Sequence, residues 1–233
     1  MKRLFAFLLA CVCALALFGC AGANDDKSDG GPEDDTTPLT ETQIEEFKEL
    51  FASTADVTDE TTGEYRYTTS TPVSCFFTSH YDDPRDIDLA EFLRYCPLST
   101  TLGDADVEEF HAVLDTLGIE DAERFKVPDD WAVPVRRMPK SDVSALLMQW
   151  ADITVDDLRD QEDAIYLAQY DAFYEFTSDF GPGSFIPVGG EQYGDSIRLW
   201  SAPRGENGEV THDELTLEVR PDGSYRIEAF REV

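Results

Sequence analysis

From Thr40 onward, apolar residues recur first at helical spacing and later at alternating spacing. Thr40 followed by Gln43 resembles a capping box, and Ile44, Phe47, Leu50 and Phe51 then predict an amphipathic helix over about 41–53. The short apolar run Val73 to Phe77 suits a buried strand. A second helix is expected after Pro84, with Leu89, Phe92 and Leu93 inward. A third, over about 105–117, carries Val107, Phe110, Leu114 and Leu117 on one face and stops at Gly118. The proline-studded segment Val127 to Pro139 reads as a loop packed by Trp131. A fourth helix, over about 141–151, presents Val143, Leu146, Leu147 and Trp150, and Thr154 is expected to cap a short fifth.

Near Ile165 the period changes. Tyr170, Ala172, Tyr174 and Phe176 fall on one face of a strand, with Asp171, Phe173, Glu175 and Thr177 on the other. Gly181-Pro182-Gly183 and Gly189-Gly190 read as chain breaks. Ile197 to Trp200 and Leu215 to Val219 predict further strands, and Pro221-Asp222-Gly223 predicts a closing β-hairpin with Tyr225-Arg226-Ile227. Helices first and antiparallel strands after give an α+β class, N-terminal helices packed on a C-terminal antiparallel sheet.

The segment ahead of these elements has a different logic. Lys2 and Arg3 precede an uncharged apolar run from Leu4 to Phe18, and Gly19 precedes Cys20, the layout of a secretory signal. The run is shorter than the roughly 20 residues needed to span a hydrocarbon core. Leu17-Phe18-Gly19-Cys20 resembles the lipobox of bacterial lipoproteins, which implies cleavage before Cys20 and a diacylglyceryl group on its sulfur. Two acyl chains hold a protein on a bilayer where one holds only marginally. Ala21 to Pro38 offers only alanine as an apolar residue and reads as an extended acidic tether. The expected organisation is a signal peptide over 1–19, a lipidated tether over 20–39 and a single extracytoplasmic α+β domain over 40–233. The expected location is the outer face of the cell membrane.

Charge narrows the partners. The chain carries a formal net charge of −31, and loss of Lys2 and Arg3 with the signal would take it to −33. Such a field repels nucleic acid, and no Lys/Arg-rich stretch offers a local exception. With 42% apolar and 12% aromatic residues, there is still ample material for a packed core.

Candidate chemistry is sparse. Gly194-Asp195-Ser196-Ile197 imitates the nucleophile motif of GDSL-type hydrolases, with Glu209 to His212 as a distorted partner, but here the serine opens a strand late in the domain, where a hairpin serine is expected. Glu108, His111 and Asp115 share a helix face, and Asp82, Asp83, Asp86 and Asp88 form an oxygen-rich cluster. A solvated acidic face and helix capping account for both sets. Asp25 to Gly30 brushes against a calcium-loop pattern, yet Lys27 sits where an oxygen ligand is required. No metal and no cofactor is assigned. Export and an even pair suggest a disulfide between Cys75 and Cys96, with two small buried hydrophobes as the alternative. Phe173, among Asp171, Glu175 and Thr177, is a candidate for stacking on a ligand, with core burial as its alternative.

The run Tyr170-Asp171-Ala172-Phe173-Tyr174-Glu175-Phe176-Thr177-Ser178-Asp179-Phe180-Gly181-Pro182-Gly183, with His80-Tyr81-Asp82-Asp83-Pro84-Arg85 upstream, resembles parts of uncharacterised lipoproteins of anaerobic gut bacteria. The helix-then-sheet order with a final Asp-Gly hairpin is also similar to nuclear-transport-factor-like cone folds. Neither resemblance implies an activity. The expected function is a non-catalytic binding or interaction module, joined to the membrane through lipid on Cys20 and taking a protein or glycan ligand. An envelope-directed glycan or peptide hydrolase and a structural or assembly subunit of a membrane complex are the alternatives.

Overall fold

A computed structural model describes residues 36–159, 161–176, 181–206 and 209–233. The expected signal peptide, Cys20 and most of the expected tether, Asp25 to Gly30 included, lie outside the described residues. So do Thr177, Ser178, Asp179 and Phe180 of the run quoted above. The fold is mixed α+β, and among the described residues the paired strands are all antiparallel.

The first helix, α1 (Glu41–Leu50), starts where the capping box requires: Thr40 Oγ1 accepts from the Gln43 N–H at 3.3 Å, and Gln43 Oε1 accepts from the Thr40 N–H at 2.9 Å. Ahead of it, β1 (Thr37–Pro38) already pairs with the closing sheet, and the Leu39 N–H donates to the Gly190 carbonyl at 2.9 Å. Residues 37–39 thus already pair with the sheet ahead of the expected start at residue 40. A hairpin of β2 (Thr54–Thr58) and β3 (Tyr65–Ser70) follows, between the first helix and the Val73 to Phe77 run.

Val73 to Phe77 is buried as expected but is not a strand. It belongs to a 3-10 helix, Pro72–Phe77. A short apolar run carries no period, so burial alone does not distinguish the two. Pro72 presets the first turn, and the Ser74 and Thr78 hydroxyls take up the carbonyls of Thr71 and Cys75. Next come α2 (Leu89–Arg94), capped by Asp88, then β4 (Thr100–Thr101) and α3 (Val107–Thr116). The end of the expected 127–139 loop is strand β5 (Arg136–Pro139), which leads directly into α4 (Lys140–Ala151). The short fifth helix is a single 3-10 turn, Val155–Asp157.

Two larger sheets divide the rest. The strands β6 (Ile165–Leu167) and β7 (Ala172–Glu175) complete a four-stranded sheet in the order β4-β5-β7-β6. The five-stranded sheet runs β1-β8-β9-β12-β13, with β8 (Pro187–Tyr193), β9 (Ser196–Ser201), β12 (Asp213–Val219) and β13 (Tyr225–Glu232). The closing hairpin turns at Gly223 as expected, with φ +83°. A short ribbon, β10 (Arg204–Glu206) with β11 (Glu209–Thr211), stands beside it. Gly189 and Gly190, expected to break the chain, lie inside β8.

The main core fills the space between one face of the five-stranded sheet, through Leu199, Leu215 and Leu217, and the apolar faces of α1, α2 and α4. A second cluster joins α3, through Phe110 and Leu114, to Tyr174 and Ala172 of β7. The four-stranded sheet is thus covered on both faces: Tyr174 points to α3, while Phe173 and Met138 point to the main core. Among the described residues no helix is long and apolar enough to cross a membrane.

Candidate functional site

Alternation in β8, β9 and β12 leaves one face of the five-stranded sheet outside the core. Ile197, Leu199 and Leu215 are buried, whereas Arg198, Trp200, Glu214 and Thr216 are only partly so. The registers place Gly189 opposite Trp200 and Trp200 opposite Glu214. One step along, Glu191 lies opposite Arg198 and Arg198 opposite Thr216. Tyr193, on the same face of β8, is 44% exposed.

Two depressions open on this side of the molecule. The larger, about 760 Å³, runs along the seam between α1 and β8. Trp200 and Gly189 line it together with Leu39, Glu41 and Glu45. The smaller, about 280 Å³, is bounded by Tyr193, Arg198, Glu214 and Thr216, with Arg231 and Asp82 at its far side. Trp200 holds its position because Gly189 has no side chain: a Cβ there would meet the indole Nε1 at 2.4 Å. Between the depressions the Arg198 guanidinium is paired with the Glu191 carboxylate and stands 3.8 Å from Glu214. That pairing raises the pKa of Arg198 further.

Of the residues singled out from the sequence, Phe173 does not reach a surface. It is 2% exposed and packs against Tyr166 with ring centroids 5.0 Å apart, so ligand stacking there is ruled out. The alternation was read correctly, but helices cover the second face as well. Cys75 and Cys96 are both buried and free, and lie close enough for each thiol to shift the other's pKa. That contact and burial push the Cys75 thiol well up. The same contact, opposed by burial, brings Cys96 down, helped by the Leu98 N–H and Arg136.

The Asp82 to Asp88 cluster is divided among cations and caps. Asp83 takes Arg85 and Arg159, Asp86 takes Arg159, Asp82 takes Arg231, and Asp88 caps α2. Its oxygens are spent on these partners and do not converge. Glu108, His111 and Asp115 likewise form no joint site. The helix turns Glu109 inward instead, where it is 6% exposed and accepts from the Tyr174 hydroxyl and, at 2.9 Å, from Arg137. Burial, and then Glu109, push the Tyr174 hydroxyl pKa upward. Ser196 Oγ donates to the Leu217 carbonyl at 3.4 Å and has the role of a sheet serine.

Sequence reading missed a network of distant residues. His80 Nε2 lies 3.0 Å from Asp213 Oδ1, and Arg204 binds both Asp213 and Glu232. Asp213 is fixed further by its N–H, which donates to Ser201 Oγ at 2.9 Å. Burial raises the Asp213 pKa, but Arg204 and His80 outweigh it and hold the carboxyl below its ordinary value. The ligand-capable atoms of His80, Asp213 and Glu232 lie within 4.8 Å of one another. The Arg204 guanidinium already supplies the positive charge there, so the arrangement clamps the β10–β11 ribbon to the sheet. His80 and Asp213 are 133 residues apart, and no local pattern announces them. Tyr65 and Tyr67, 61% and 56% exposed on β3, were also missed. The alternation Tyr65-Arg66-Tyr67-Thr68 would have revealed that strand.

Ser196 is thus partnered by a carbonyl and not by a histidine, and the outer face of the five-stranded sheet bears Trp200 and an exposed Tyr193. In comparisons with known proteins, no family model, no curated protein and no solved structure matches this chain.

Proposed function

We propose that the chain is a membrane-anchored extracytoplasmic lipoprotein whose domain is a non-catalytic binding module, with the outer face of the five-stranded sheet as its binding surface. In this reading the signal over 1–19 is removed, Cys20 carries the lipid, and the acidic segment that follows holds a helices-on-sheet domain clear of the outer face of the cell membrane. The anchor is supported by the short apolar run ending in a lipobox-like tetrad.

The binding role rests on one observation: a partly exposed Trp200, seated over Gly189 on a shallow open face, with Tyr193 exposed on the same face. A deep cleft with converging titratable groups would support an enzyme, whereas a shallow aromatic surface suits recognition. Aromatic side chains give large contact area at small entropic cost, which makes them effective anchors for a ligand.

Two measurements test the two halves of this reading. Radiolabelled fatty acid should enter the wild-type protein and not Cys20→Ala; label persisting in the variant would refute the anchor. Oxidative footprinting should then show Trp200 and Tyr193 protected on intact cells relative to the purified full-length protein. Equal labelling in both settings would refute the binding surface.

A further inference from the structure

The two depressions adjoin at the Arg198–Glu191 pair, and the chemistry along the track from one to the other bears on what can occupy it. Row by row, the outer face reads Gly189-Trp200-Glu214-Arg231, then Glu191-Arg198-Thr216-Ala229, each row running across β8, β9, β12 and β13. The first depression is lined in part by Trp200, and the second is bounded by Tyr193, Glu214 and Thr216. The Arg198–Glu191 pair is their common divide, Glu191 lining the first and Arg198 the second. Gly189 and Tyr193 are four residues apart on one strand, which places the two aromatic positions roughly 13 Å apart along β8.

Resting on the reading of this face as the binding surface, we infer that the ligand is an uncharged glycan laid over the track from Trp200 toward Tyr193. The chemistry of the lining selects it. A pyranose ring has an apolar C–H face that packs on an aromatic ring and a rim of hydroxyls that both donate and accept. The track supplies an indole and a phenol for the first. For the second it supplies Arg198 as donor and Glu191, Glu214 and Thr216 as acceptors.

Charge excludes an acidic polymer. Carboxylates outnumber cations in both depressions, and the whole chain carries a net charge of −31. Topology disfavours an extended peptide on the same surface. Peptides that join a sheet draw affinity from main-chain bonds to an open strand edge. Over β9 and β12, which are paired on both sides, the track offers side chains in place of backbone.

The test uses the full-length protein in a zwitterionic detergent, with chitotetraose and cellotetraose as neutral probes. Polygalacturonate serves as the anionic probe and decalysine as the peptide probe. At least one neutral tetrasaccharide should bind by titration calorimetry, with Trp200→Ala weakening it tenfold or more. Tyr193→Ala, which removes a ring already 44% exposed, should weaken it several-fold with a nearly unchanged melting temperature. Polygalacturonate should not compete. Binding of decalysine alone, or of no probe, would overturn the glycan assignment. If Trp200 and Tyr193 nevertheless remain protected on cells, the face stands as a binding surface for another ligand. Neutral-glycan binding that is equal in wild type, Trp200→Ala and Tyr193→Ala would overturn the track itself.

Discussion

Trp200 occupies the space that a side chain at residue 189 would need: a Cβ on Gly189 would lie 2.4 Å from the indole Nε1 and 2.6 Å from Cε2. The absence of a side chain on β8 thus leaves room for the indole that lines part of the larger depression. Gly189→Ala should push the indole off its seat and cost about 1–3 kcal/mol, the usual range for overpacking. Urea denaturation and a red-shifted tryptophan emission would show this. In the double variant Gly189→Ala/Trp200→Ala the penalty of the alanine should largely disappear, and an undiminished penalty would mean that the indole is not what excludes the side chain.

The N-terminal boundary gives a second expectation. A chain beginning at Thr36 keeps β1 and the Leu39 N–H bond to the Gly190 carbonyl, and a chain beginning at Thr40 loses both along with the Leu39 side chain packed on the core. The shorter chain should be about 1–3 kcal/mol less stable in urea unfolding, from lost apolar burial and one or two hydrogen bonds. Identical midpoints would show that β1 contributes nothing to the fold.

Cys75 and Cys96 are both buried free thiols, so a bridge between them requires that the oxidant reach the core during transient opening. Exchange with oxidised glutathione should close a 75–96 disulfide, transferring two electrons to the glutathione. The bridge should add roughly 3 kcal/mol in the chain-entropy model. Mass spectrometry after unfolding and alkylation without reduction should find neither thiol labelled in the oxidised protein. Two alkylated thiols on Cys75 and Cys96 would disprove the pairing.

Glu175 sets a pH dependence of opposite sign to that of an ordinary ion pair. Burial raises its carboxyl pKa despite the nearby charges of Arg94 and Arg136, with Glu91 adding to the rise. As pH climbs through the ordinary glutamate range, the unfolded chain releases this proton first. The folded state then loses stability until Glu175 itself ionises. Glu175→Gln should therefore melt a few degrees above wild type at pH 7 and together with it at pH 3. A lower melting temperature for the variant at pH 7 would reverse the sign.

What sequence determined by itself is local. The Thr40–Gln43 box, the helical stripes of α1, α3 and α4, and the Asp222–Gly223 turn all lie within one or two turns of chain, where spacing and cap chemistry act without help from distant residues. What only tertiary structure decided depends on what covers each element. Phe173 and Tyr174 alternate as their sequence demands, but α3 on one side and the main core on the other bury both, so alternation could not identify an exposed aromatic. Val73 to Phe77 is apolar throughout, and its 3-10 form follows from its packing and from Pro72, not from any period. The candidate surface is less legible still. Trp200 meets Gly189 across β8 and β9, and His80 meets Asp213 from the far end of the chain, because strand register and sheet order bring them together. A glycine pair that reads locally as a break is, once its neighbouring strand is in place, the seat of an indole.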